Sequence, residues 1–177
     1  MMSRKNIILF AVIVPIVCIV LDQISKAWVL EFFNSNYNIP KDVCTDAGFR
    51  GYVHEVSRPF DLTLACNRGV SFGMFGGESE LKRWILSGFA LAVSAFLVYM
   101  IATSKDWLTA LSFGLIIGGS LGNVIDRVQF GAVVDFFDFT GIKFPGIFNV
   151  ADSFITMGVI GMLLAAFFIK ETPETAG

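Results

Sequence analysis

A chain of 177 residues that is 55% hydrophobic and 16% charged falls well short of the roughly 25% charged residues of a soluble domain, and its mean hydropathy of +0.70 points to a bilayer as its solvent. The net charge of −2 gives no basic field for nucleic acid. The one histidine, His54, and three cysteines without CxxC spacing make neither a metal centre nor a redox motif.

The length suits a single domain over 1–177. Hydrocarbon about 30 Å thick takes roughly 20 apolar residues per helix. Four segments are predicted to cross it: about 7–30, 84–103, 107–125 and 149–169. The first contains Pro15, which membrane helices tolerate, and Cys18, expected as a small core residue. Arg4 and Lys5 before an apolar run resemble a signal peptide. No small-x-small cleavage site precedes Asp22, however, and three more spans follow, so a retained helix is expected.

The polar stretch 31–83 is too long for a turn, and alternation within 52–64 predicts a small β-sheet on the membrane surface. Cys44 and Cys66 both fall in this stretch and could pair in an oxidising compartment, but separation in sequence says nothing about geometry, and two free thiols are the favoured reading. After the second span only Ser104, Lys105 and Asp106 lead into the third, and 128–148 then joins the third to the fourth on the side of the long loop. Trp28, Trp84 and Trp107 stand near span ends, where amphipathic rings prefer the interface. Four spans bring both termini to one side, and Arg4, Lys5, Lys105 and Lys170 make that side the denser in positive charge, which predicts cytoplasmic termini.

Ionisable residues at the membrane boundary are functional candidates. Asp135 lies between Ala132-Val133-Val134 and Phe136-Phe137, and Asp152 falls in the first turn of the fourth helix at the same membrane face. Two carboxylates in a dry site cannot both ionise easily, so they share a proton; one then takes a proton from water while the other polarises a carbonyl. Spacing alone leaves a helix N-cap as the alternative for Asp152. Asp22 has Lys26 one turn on, which reads as an ion pair or an interhelical bond with a supporting role. Gly114, Gly118 and Gly122 recur every four residues and predict a close-packing helix face, with Asn123 and Arg127 expected to continue it toward the loop side. Residues 67–73 read as a turn, and Ser71 with His54 makes no convincing nucleophile–base pair.

These stretches together resemble the bacterial lipoprotein signal peptidase (signal peptidase II) family. The resemblance is carried, in order, by Asp22-Gln23 with Lys26; by Asn67-x-Gly69 with Phe72; by Gly118 through Asn123, Asp126-Arg127, Gly131 and Val134-Asp135-Phe136; and by Phe148-Asn149-Val150-Ala151-Asp152. It implies a four-helix membrane aspartic peptidase with a small extracytoplasmic sheet, cutting diacylglyceryl-modified prolipoproteins just before the lipidated Cys at the outer face of the inner membrane. Asp135 and Asp152 match the family's catalytic pair. Asn67, Gly69, Asn123, Arg127, Asn149, Ala151 and Asp22 match positions that bind substrate or support the site. No metal or organic cofactor is expected; the expected partners are the lipidated substrate and membrane lipid, and the expected state is a monomer. Residues 58–75 are expected to close over the substrate. Ser25 and Ser120 depart from the commoner family residues, and the loop 34–58 is longer than the family's and carries Cys44. Two other readings remain on the residues alone: a proton-coupled transporter, which would put charges at mid-helix in repeated halves, and a scaffold whose aspartates serve as caps.

Overall fold

The computed structural model describes residues 4–49, 51–69, 80–104 and 106–168. Among the described residues four helices are long and apolar enough to cross a membrane: α1 (Arg4–Tyr37), α2 (Glu80–Thr103), α3 (Trp107–Phe130) and α4 (Val150–Phe168). The third is the centre of the bundle: 56% of its apolar window is buried, against 17–22% for the other three. The remaining helices turn large apolar side chains outward, among them Ile16, Phe89, Phe96 and Leu163, as a lipid-facing surface does. Trp28, Trp84 and Trp107 are all exposed.

Small residues set how closely the helices approach. A Cβ on Gly114 would meet Val14 at 3.0 Å, and one on Gly118 would meet Cys18 at 2.5 Å and the Pro15 backbone at 2.9 Å. The glycine row therefore faces α1, with Cys18 buried beneath it as expected. The adjacent Gly119 faces α4, where a Cβ would lie 2.3 Å from the Ala151 carbonyl oxygen.

The helix predicted over 7–30 runs on to Tyr37, through Glu31, Asn34, Ser35 and Asn36. Thirty-four residues make about 50 Å of helix, well beyond the hydrocarbon, and the projecting end buries Val29, Leu30 and Phe33 against the sheet. The predicted 107–125 span likewise extends to Phe130, where Gly131 at φ +76° terminates it in a left-handed cap. The second and fourth helices begin at Glu80 and Val150 rather than at 84 and 149.

The sheet has four antiparallel strands in the order β1 (Tyr52–Ser57), β2 (Phe60–Asn67), β3 (Val133–Asp138) and β4 (Ile147–Phe148). Its first hairpin is where the alternation predicted it. The other two strands come from the 128–148 connection, which was expected only to join two spans. Cys44 and Cys66 form a disulfide.

Candidate functional site

Three elements converge at the loop end of the bundle. Gly131 turns the chain out of α3 and into β3, so Asp135 follows four residues after the helix cap. The start of β3 is fixed by Asp126, whose Oδ2 accepts the Val134 N–H at 3.0 Å. Opposite stands the first turn of α4. Its N-cap is Asn149, not Asp152: the Asn149 Oδ1 accepts the Asp152 N–H at 2.9 Å, and the Asp152 Oδ2 accepts the Asn149 N–H at 3.3 Å. This is a reciprocal capping box, with the carboxylate three residues into the helix.

Asn149 also connects the two aspartates. Its Nδ2 donates to the Asp135 Oδ1 at 2.7 Å and lies 3.1 Å from the Asn123 Oδ1. Asn123 in turn donates from Nδ2 to the Asp152 Oδ1 at 2.8 Å. On the other side, Asn67 Nδ2 donates to the Asp135 Oδ2 at 2.9 Å, while the Gly69 N–H holds the Asn67 Oδ1 at 2.8 Å. Asp135 is 2% exposed, Asp152 is half-buried and Asn67 is exposed, so the pair sits at the edge of the core rather than sealed inside it. Burial, then the charge of Asp152, pushes the Asp135 carboxyl from the ordinary 3.8 up to about 7, against the opposing donors Asn67 and Asn149. The Arg127 guanidinium lies within electrostatic reach of Asp152, Asp135 and Asp126.

Beneath the pair lies a buried charge cluster. Lys26 Nζ is 2.8 Å from both Asp22 Oδ2 and Asp126 Oδ2, and donates to Asn123 Oδ1 at 3.2 Å. Asp22, fully buried, spends its other oxygen on the Ala151 N–H at 3.0 Å. Both sequence readings of Asp22 thus hold at once: it pairs with Lys26 along its own helix and caps α4 from across the bundle. Gly122 makes room for it, since a Cβ there would lie 2.5 Å from Asp22 Oδ2.

One expectation needs correction. Asn123 and Arg127 do not continue the glycine row; one turn past Gly122 comes Asp126, which meets Gln23 Nε2 at 3.0 Å on α1, whereas Asn123 is turned to reach α4 as well. Asp126 therefore belongs to the site's support, and its place four residues after Gly122 was the signal for it. His54 takes part in a hydrogen bond with the Tyr37 hydroxyl, away from the pair. Ser71, Phe72 and the greater part of the segment expected to close over the substrate lie outside the described residues.

The fold and site define a multi-pass helical membrane protein holding a linked carboxylate pair at one end of its bundle. Residues 14–168 match the family model described as Signal peptidase (SPase) II. A lipoprotein signal peptidase of Caulobacter vibrioides is 38% identical over 170 residues, covering 96% of this chain and 92% of that protein. One of Nostoc punctiforme is 38% identical over 157 residues, covering 89% and 87%. Among solved structures, a bacterial membrane enzyme determined by the in meso method superposes with a TM-score of 0.67 at 27% identity, covering 94% of each chain. The chain belongs to the signal peptidase II family and is a membrane peptidase.

Proposed function

We propose that this peptidase removes the signal peptide from diacylglyceryl-modified prolipoproteins, cutting before the lipidated Cys, with Asp135 and Asp152 as its catalytic pair. The observation that carries the assignment is Asn149: one buried side chain bonds Asp135 and shares a capping box with Asp152, so the two carboxyls are held as a unit at the edge of the core. Burial and the neighbouring Asp152 charge keep a proton on Asp135 up to about pH 7. Asp152 takes a proton from water as its oxygen attacks the scissile carbonyl, and Asp135 gives its proton to the carbonyl oxygen. The C–N bond then breaks. The proton on Asp152 goes to the leaving amine, which becomes the N-terminus of the lipidated Cys, and Asp135 recovers its own as the carboxyl product forms. No step is assigned to a metal or organic cofactor.

Asn67, Asn123, Asn149 and Arg127 orient the carboxyls or the substrate backbone, Gly69 holds Asn67, and Asp22 with Ala151 anchors the first turn of α4. The substrate arrives laterally through the lipid, its acyl chains in the outer leaflet, and one copy of the single domain suffices. The site faces the outside and the termini the cytoplasm. The Cys44–Cys66 disulfide supports this orientation, because such bonds persist in the periplasm and are rare in the cytosol.

The test is cleavage of a lipidated prolipoprotein by purified protein beside Asp135→Asn and Asp152→Asn, with and without chelator. Folded but inactive variants and no chelator effect are expected. Full activity in either variant would remove the pair from the chemistry.

A further inference from the structure

Asn67 is the last residue of β2, and the two residues beside it are attached to the same short piece of chain. Cys66 is joined by its disulfide to Cys44, in the single turn Val43–Thr45. Arg68 donates from Nη2 to the Cys44 carbonyl oxygen at 3.0 Å and to that of Asp46 at 2.8 Å. Alternation along an extended chain puts Cys66 and Arg68 on one side and Asn67 on the other. The register agrees: Ala65 pairs with Asp135 and Asn67 with Val133, so Asn67 lies diagonal to Asp135 on the sheet face they share. Cys66 pairs with Val134, whose side chain lies in the apolar cluster that also contains Val43, Cys44 and Phe33.

The strand needs that anchorage. The β2–β3 register shifts between Leu62 and Ala65, and Gly69 at φ +95° turns the chain away directly after Arg68. Only the Ala65–Asn67 part of the ladder holds the end of β2 on the Asp135 side of the irregularity. Val43 and Cys44 are buried, so the turn is a fixed part of the core rather than a dangling loop.

We propose that the 38–49 segment is a strap that positions the active site: through Cys44–Cys66 and Arg68 it holds the Asn67 amide against Asp135, making Cys44, Cys66 and Arg68 positioning residues for peptide cleavage. The proposal rests on the reading of Asp135 as catalytic. The groups facing Asp135 are Asn67 on β2, Arg127 on α3, Lys26 on α1, and Asn149 and Asp152 at the start of α4. Of these, the strap acts only on Asn67, a donor that favours the ionised form of Asp135.

The experiment measures kcat/KM for a lipidated prolipoprotein across pH 5–9 in Cys44→Ala/Cys66→Ala, Arg68→Ala, Asn67→Ala and the combination of all three, with Asp135→Asn as the dead reference. Lys41→Ala, which removes an exposed ion pair with Glu31 on the same segment, is the control. Helix content and monodispersity are checked for each. The strap variants are expected to lose on the order of tenfold in kcat/KM, the usual cost of one hydrogen bond to a carboxylate, and to move the alkaline limb of the profile upward as Asn67→Ala does. Adding Asn67→Ala to them should then cost almost nothing, because both act through one contact. Strap variants with wild-type rate and profile, or losses that multiply with that of Asn67→Ala, overturn the proposal while leaving Asp135 in place. An active Asp135→Asn overturns both readings.

Discussion

Replacing Asp135 by Asn should change stability in a way that depends on pH, and the direction follows from its surroundings. The carboxyl titrates at about 7 in the fold against 3.8 when unconstrained. A raised value means the fold disfavours the charged form. The contribution is fully present below about pH 4 and is lost as pH rises through 7. Each unit of that interval is worth about 1.4 kcal/mol, so the whole shift amounts to about 4 kcal/mol and the part between pH 5 and 7 to about 3 kcal/mol. Asp135→Asn does not titrate. It has its own cost, because Asn67 and Asn149 both donate to Asp135 and an amide offers only one oxygen in return. That mismatch costs about 1–3 kcal/mol at every pH. The informative quantity is therefore the slope: variant minus wild type should rise by about 3 kcal/mol from pH 5 to 7 and then level off. Equilibrium unfolding with SDS in mixed micelles, at half-unit pH steps, reads it directly. A difference that stays flat within about 0.5 kcal/mol would mean that Asp135 titrates as an ordinary carboxyl, and the protonated-acid role proposed for it would fall.

Cleavage itself should decline above about pH 7, approaching tenfold per unit as Asp135 loses its proton, which a kcat/KM profile would reveal. Lys26→Met leaves Asp22 and Asp126 facing each other in the core without their cation; we expect about 3–5 kcal/mol of destabilisation, partly reversed by adding Asp126→Asn in the same unfolding assay. Gly119→Ala should cost about 1–3 kcal/mol and reduce turnover, since its Cβ would press on the Ala151 carbonyl at 2.3 Å and shift the first turn of α4. Gly88→Ala, with nothing within 4 Å of its Cβ, should instead be neutral or stabilising by about 0.5–1 kcal/mol.

The spans were legible because uninterrupted apolar length has few alternative uses. Their ends were not. Glu31, Asn34 and Ser35 look like loop, yet the helix continues because Phe33 is needed against the sheet, a demand set by strands far along the chain. The third strand was hidden for the opposite reason: Ala132-Val133-Val134 and Phe136-Phe137 are buried on both faces, so they show no alternation. Asp135 and Asp152 stood out as boundary carboxylates, but the sequence could not reveal that Asn149 ties them together, since a cap is read from backbone geometry. Asp126 was visible only as part of a motif; its bonds to Lys26, Gln23 and the Val134 amide depend on how two helices are rotated. The disulfide was the less favoured reading of the two cysteines, because sequence separation carries no geometry; β2 brings Cys66 beside the turn that carries Cys44.

Asp22 reaches the Ala151 amide across 129 residues of chain, and that distance has a meaning for biogenesis. At about 5–20 residues per second, roughly 6–26 seconds separate the synthesis of one partner from that of the other. For most of that interval the first helix has an acid and a base that belong in a dry interior, with neither Asp126 nor α4 yet made. The i, i+4 spacing of Asp22 and Lys26 lets the two neutralise each other on the nascent helix while it waits at the insertion machinery. When the last helix arrives, its first turn displaces nothing: it takes the carboxylate oxygen that Lys26 left unused. Until then Asp152 does not exist, and the half-made chain in the bilayer lacks one member of the proposed catalytic pair.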